Sequence, residues 1–269
     1  LSIVASLLAL VLVLTACSSK TSEKKEEKKE DKTIKVAAHV PPFTDMLELV
    51  KEDLQKEGYT LEIVKVSDNV QANVALANKE IDANFFQHEP FMKQYNEKNH
   101  TNLVAVAKVY NSIPAFYSKT VKNIKDLKDG ADVAIPSDAT NGGRALLLLS
   151  KAGLITLNDP NSISATVQDI KDNPKHLKFV ELEAAQLPRT LDDSTISVIN
   201  TNFALGANLN PTKDALFLES KDSPYVNIVS VREGDEKRED IQKLIKALQS
   251  PEIKKFIEDK YKGAILPAF

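Results

Sequence analysis

Strand-like and helix-like segments alternate through most of the chain in units of about 25 residues, and this alternation restricts the fold more than any other feature. Residues 34–38 read as a short strand. Residues 43–57 read as a helix with apolar positions at Met46, Leu47, Val50 and Leu54, stopped by Gly58. A strand at 61–66, a helix at 70–78, a strand at 81–86 and a helix at 89–99 follow, then strands at 103–109 and 113–117 with only a brief break between them. The second half repeats the style, with a strand at 132–136, a helix from Asn141, a strand at 178–182, a helix near 186–191 and strands at 196–200 and 226–231. Two amphipathic helices, 240–249 and 251–261, close the chain and are split by Ser250-Pro251. Such a pattern implies an α/β fold of parallel strands joined by right-handed crossovers, with ligands at the carboxyl ends of the strands. Ala38-His39, Ser67-Asp68-Asn69 and Phe86-Gln87-His88 then share one rim. Two such blocks imply two lobes around a cleft, lobe I from 33–112 plus 204–269 and lobe II from 113–203, with the chain crossing near 111–115 and 200–203.

The stretch 135–149, I-P-S-D-A-T-N-G-G-R-A-L-L-L-L, has the layout of a buried strand, a polar turn and a helix buried through Leu146–Leu149. Gly142 and Gly143 leave first-turn N–H groups uncovered, and Arg144 adds a planar fork on the same turn, so a carboxylate cradle is expected. A surface ion pair after an ordinary turn is the competing reading. Neither G-x-x-x-x-G-K-[ST] nor G-x-G-x-x-G occurs, which argues against a nucleotide.

The 269 residues suffice for two moderate cores at 42% apolar content. A net charge of −3 and a pI near 5.9 offer no basic face to a phosphate backbone, so nucleic acid is not an expected partner. Cys17 is the single cysteine. It follows a 16-residue apolar run ending in Leu14-Thr15-Ala16, which reads as an export signal truncated at its start and resembles a bacterial lipobox. Cys17 is thus the expected lipidation site, attaching the protein to a membrane on its outward face, extracellular or periplasmic. Residues 18–32 contain no large apolar residue and are expected to act as a solvated tether.

Phe85-Phe86-Gln87-His88-Glu89-Pro90-Phe91 places three aromatics and a histidine where a strand leaves the sheet, a wall suited to an apolar or thioether group. Strand alternation puts Phe85 and Phe86 on opposite faces, and Phe86 shares parity with His88. The asparagines at 200 and 227 stand at strand ends, where amides suit both ends of a zwitterion or simply cap backbone. His39, His88, His100 and His176 never fall at metal-ligand spacing, so no metal or other cofactor is expected. No nucleophile elbow is present and the one S-x-x-K lies in the tether, so no enzyme activity is expected.

Taken together and in order, Asp82-Ala83-Asn84 with Phe86-Gln87-His88, Tyr117-Ser118, Pro136-Ser137-Asp138 with Thr140-Asn141 and Arg144, Glu181-Leu182-Glu183-Ala184 with Gln186-Leu187-Pro188-Arg189, Ile199-Asn200-Thr201 and Ser223-Pro224-Tyr225-Val226-Asn227 resemble the methionine-binding lipoproteins of ABC importers, the NlpA lipoprotein family. The similarity runs from about Ile34 to the C-terminus. It implies a two-lobed periplasmic-binding-protein fold, type II-like, that closes on a free amino acid such as L- or D-methionine and delivers it to the permease subunits in the membrane. Carried over by position, Arg144 binds the α-carboxylate with help from Asn141, Asn200 and Asn227 hold the polar end, and Phe86 and His88 line the side-chain pocket. Two positions depart from the pattern. Asn69 stands where members often have Tyr, and Phe43 where they have His. Asn69 therefore bears on ligand choice, and another amino acid or a methionine-containing dipeptide is the alternative ligand. A surface lipoprotein with an adhesin role is the alternative of a different class.

Overall fold

The structure is a computed structural model in which residues 32–220 and 223–269 are described. The expected signal segment, the lipidation site Cys17 and all of the tether but Lys32 lie outside the described residues.

The first part of the chain runs β1 (Thr33–Ala38), α1 (Phe43–Lys56), β2 (Thr60–Lys65), α2 (Asn69–Ala77), β3 (Ala83–His88), α3 (Glu89–Asn99) and β4 (Leu103–Ser112). It then passes through β5 (Ala115–Tyr117), β6 (Asp132–Pro136), α4 (Ala139–Lys151), β7 (Thr156–Leu157), β8 (Ile170–Asp172), β9 (Lys178–Leu182) and β10 (Ile196–Ile199). After α5 (Thr201–Gly206), α6 (Pro211–Asp214) and β11 (Phe217–Leu218) come β12 (Val226–Arg232), α7 (Glu239–Leu248), α8 (Pro251–Tyr261) and β13 (Ile265–Pro267). A 3-10 run over Ala184–Asp192 takes the place of the helix expected near 186–191.

Two sheets carry the two lobes. The first has the order β13-β4-β12-β3-β1-β2 and the second β11-β5-β10-β6-β9. Both are mixed, whereas the alternation suggested parallel strands throughout. β1 pairs parallel with β2 and β3, and β6 pairs parallel with β9 and β10. Within these two sheets the antiparallel pairings all involve strands next to a crossing between lobes or at the C-terminus: β12 with β3 and β4, β13 with β4, and β5 with β10 and β11, while β7 and β8 form a separate antiparallel pair. The crossings impose this. A strand arriving from the other lobe starts at the cleft rim where the parallel strands end, so it must run the opposite way.

The first crossing falls at Ile113-Pro114, between β4 and β5. The second falls after Leu218, because β11 pairs with β5 and still belongs to the second sheet. The return expected at 200–203, and with it the assignment of 204–218 to lobe I, is corrected accordingly. A two-residue strand after two short helices has no periodicity to reveal its sheet.

Each sheet is buried on both faces. On the first, Met46, Leu47, Val50 and Leu54 of α1 pack with Leu244 and Leu248 of α7, Ile253 and Ile257 of α8 and the inward face of the strands, including Phe85. Phe86 turns to the other face, against Phe91, Met92 and Leu76 of the neighbouring helices. Each fully buried Leu, Ile or Phe contributes roughly 1.5–3 kcal/mol, so these layers hold the strand ends at the rim firmly enough to position side chains. In the second lobe Leu146, Leu148 and Leu149 of α4 pack on β6 and β10.

Candidate functional site

The carboxyl ends of β1, β2 and β3 meet at one rim, where His39 Nε2 lies 3.0 Å from the Ser67 carbonyl. Facing this rim across the cleft are the N-terminus of α4, the end of β10 and the start of α5. Between them lies a cavity lined from the first lobe by Phe43, Asn69, Phe86, Gln87, His88, Phe91, Tyr110 and Asn227, and from the second by Asn141, Ala184, Asn200, Asn202 and Phe203, with Ser112 at the crossing. Its free interior is about 40 Å³, room for roughly three waters. A guest the size of an amino acid enters only if the lobes part.

Two contacts bridge the lobes here. His39 meets Phe203 edge to face at 5.3 Å between centroids, and His88 Nε2 lies 3.0 Å from Asn141 Oδ1. The second contact is defined at both ends. Asn141 Nδ2 donates to both oxygens of Asp138, at 3.0 and 3.1 Å, so Oδ1 is turned to the cleft and accepts from Asn200 Nδ2 at 2.8 Å. His88 Nδ1 accepts from the Phe91 backbone N–H at 3.2 Å, capping α3, so the ring proton sits on Nε2 and is donated to Asn141. Burial, and after it the positive charge of Arg144, lowers the His88 pKa to about 3. His88 is therefore a neutral donor at physiological pH.

Arg144 lies one side chain behind the cavity wall. Only 2% exposed, it donates from Nε to Glu219 Oε1 at 2.9 Å and from Nη2 to Glu219 Oε2 at 2.5 Å. Nη2 also reaches the Ser112 carbonyl at 3.1 Å and Ser223 Oγ at 3.4 Å, and the guanidinium stacks on the Tyr225 ring at 4.1 Å. Tyr225 in turn packs edge on to His88 at 5.1 Å. Nη1 is buried without a hydrogen-bond partner.

Of the residues singled out in the sequence, Asn69, Phe86, His88, Asn141, Asn200 and Asn227 come together around this cavity, while Arg144 stands outside its lining. The open helix-terminus cradle expected beside Arg144 is not formed. α4 begins at Ala139 rather than Asn141, and Asp138 caps it by accepting from the Asn141 N–H at 2.9 Å. Gly142 and Gly143 serve close packing instead: a Cβ on Gly142 would lie 2.8 Å from the Pro136 carbonyl oxygen and one on Gly143 2.7 Å from that of Ile163. Sequence reasoning missed Tyr110 in the wall and Glu219 behind it. A lone Glu after a two-residue strand carries no pattern to single it out. Among the described residues no group of three or more His, Cys, Asp or Glu is placed to hold a metal ion, and no helix is long and apolar enough to cross a membrane.

Two α/β lobes joined by two crossings, with a polar and aromatic cavity between them, define a solute-binding protein of the two-lobed kind. The family model of the NlpA lipoproteins matches residues 34–269, and the chain belongs to that family. It is 48% identical over 201 residues to the D-methionine-binding lipoprotein MetQ of Salmonella typhi, an alignment covering 74% of each chain. Among solved structures it is similar to a nutrient binding protein from Burkholderia cenocepacia bound to methionine, with a TM-score of 0.85, 44% identity and coverage of 88% of this chain and 100% of that one. It is also similar to an ABC transporter periplasmic substrate-binding protein from Coxiella burnetii, with a TM-score of 0.84, 41% identity and coverage of 87% and 100%.

Proposed function

We propose that this protein is the substrate-binding lipoprotein of an ABC amino-acid importer. It captures methionine, or a close analogue, outside the cytoplasm and delivers it to the membrane permease. The observation that carries the reading is the cavity itself. Phe86, Phe91 and Phe203 supply apolar walls, while the side-chain amides of Asn69, Asn202 and Asn227 have no hydrogen-bond partner among the described residues. A buried zwitterion must be paired at both ends, and a thioether gains about 0.3–1.5 kcal/mol against aromatic edges. The similarity to a methionine-bound neighbour supports the same class of guest.

Arg144 and Asn141 are assigned to the carboxylate side and Asn200 and Asn227 to the remaining polar atoms. Phe86 and His88 line the side-chain pocket, where Asn69 tunes ligand choice. Binding draws the lobes together because the guest's contacts are complete only when both walls touch it. Lipidation at Cys17 keeps the protein on the outer face of the cell membrane, beside the permease. The chemistry is binding rather than catalysis.

The test is thermal stabilisation of the purified chain, stripped of carried ligand by unfolding and refolding, against each free amino acid and short methionine peptides. Methionine at 100 times its Kd is expected to add about 2.7 kcal/mol of stability. Stabilisation by an unrelated amino acid alone, or by none, overturns the assignment.

A further inference from the structure

The guanidinium of Arg144 is held from three sides by residues at the two crossings between lobes. Ser112 ends the strand before the first crossing. Glu219, Ser223 and Tyr225 belong to the second, which runs between Leu218 and Val226. Arg144 itself stands on α4 of the second lobe, so one side chain ties that lobe to both connections. Its fork is divided in an uneven way. Glu219 takes Nε and one Nη2 hydrogen, the Ser112 carbonyl and Ser223 hydroxyl share the other side of Nη2, and Nη1 alone is buried without a partner. A buried donor left unpaired is costly, so a guest group that reached Nη1 would relieve that cost. Ser112, whose carbonyl Arg144 meets, lines the cavity, as does Asn141 one helical turn before Arg144, and Tyr225 packs between the guanidinium and His88, which also lines it.

We infer that Glu219 is a positioning residue for ligand recognition, a role that rests on the binding reading above. Its bidentate grip fixes the plane of the guanidinium and leaves Nη1 as the donor for a guest's carboxylate. The same grip neutralises the buried charge in the absence of a guest and anchors the donor to the crossings about which the lobes move. A guanidinium left to rotate would have to be ordered during binding, and the ordering would subtract from affinity.

The experiment measures the Kd of L-methionine and of L-methioninamide, which lacks the carboxylate, by calorimetry on the full chain in detergent. Wild type is expected to favour methionine at least tenfold over the amide. Glu219→Gln, nearly isosteric, is expected to weaken methionine by at least tenfold and leave the amide within about twofold, so that the preference collapses. Glu219→Asp, which retains the charge but shortens its reach, carries the test if Glu219→Gln does not fold, with the same selective loss. Equal weakening of both ligands, or no weakening of either, in a folded variant overturns the role of Glu219. So does a wild type that binds the two ligands equally. A wild type that binds neither overturns the methionine reading itself, which separates the two failures.

Discussion

Two buried polar clusters stand on either side of the cleft wall, and they are built on opposite principles. In the first lobe Asn73, Asn84, Gln87 and Ser230 form a neutral network between α2, β3 and β12. Asn73 Nδ2 donates to Gln87 Oε1 at 2.9 Å, Asn84 Nδ2 donates to Asn73 Oδ1 at 2.9 Å and to the Ala72 carbonyl at 3.2 Å, and Gln87 Nε2 is within 3.2 Å of Asn73, Asn84 and Ser230. No side-chain atom of these four is left buried and unpaired. At the crossings the cluster is ionic, Arg144 with Glu219, and leaves both Arg144 Nη1 and the Tyr225 hydroxyl unmatched. A closed network has its donors and acceptors already engaged and acts as a fixed pin for the strand that carries Phe86 and His88, even though Gln87 reaches the cavity wall. An open one has spare capacity, which is the role proposed for Arg144. Burial is the same in both, so the two clusters differ in the satisfaction of their donors and acceptors rather than in exposure.

The sharpest way to break this contrast is Arg144→Met. It strands the Glu219 carboxylate in a site only 8% exposed, and removing one partner of a buried pair costs about 3–5 kcal/mol. Urea denaturation is expected to show that loss, and the thermal response to methionine is expected to vanish with it. Retained affinity would remove Arg144 from the recognition account.

Asn84→Ala should cost less, about 1–3 kcal/mol, because it leaves partners in the first network unpaired without stranding a charge. Its effect should be confined to stability. The methionine Kd of the folded fraction is expected to stay within about threefold of wild type, and a Kd that rises in step with the loss of stability would mean the network is part of the recognition surface after all.

Much of this arrangement was legible in the sequence for identifiable reasons. The long helices were marked by their apolar spacing, and Asn69, Phe86, His88, Asn141, Asn200 and Asn227 by their position at strand ends or helix starts, which the α/β pattern assigns to one cleft. The opposite facing of Phe85 and Phe86 followed from strand parity. Strand direction was not legible, because periodicity is the same for parallel and antiparallel strands and the crossings alone decide it. Nor was the Arg144–Glu219 pair, whose members lie 75 residues apart and meet only because β11 joins the second sheet. The Arg was marked by its helix and glycines, yet the partner that decides what its fork can do left no local trace.

His88 links the two clusters, since it stands on the strand pinned by the first and feels the charge of the second. Its ring is neutral in the folded chain, with the pKa lowered from 6.5 to about 3 by burial and then by Arg144. Between those values the unfolded chain binds a proton that the folded one excludes, so this contribution is full above pH 6.5 and is lost progressively as pH falls toward 3. The slope is at most about 1.4 kcal/mol per pH unit. Denaturation of wild type and His88→Gln across pH 4–8 checks it: the wild type is expected to lose stability on acidification relative to the variant, and parallel curves would contradict a neutral buried ring. Removing the Arg144 charge in the Arg144→Met background should make the total loss smaller and end it at a higher pH, because without that charge the folded ring takes up its proton more readily.

The smallest expected effect lies at Asn69, on the cavity wall but outside both clusters. Its side chain is half-buried at the start of α2 and has no hydrogen-bond partner among the described residues, so Asn69→Tyr should change stability by no more than about 0.5 kcal/mol. An added ring beside Phe86 and Phe91 would cover a thioether more completely, a gain of about 0.3–1.5 kcal/mol. Titration of the variant is therefore expected to show methionine bound up to about tenfold tighter, with the ratio of methionine to methioninamide unchanged, since the carboxylate end is assigned to Arg144 and Glu219 in the proposal above. A change in that ratio would mean the wall and the crossing cluster are coupled, and the division between scaffold, wall and ion pair would have to be redrawn around position 69.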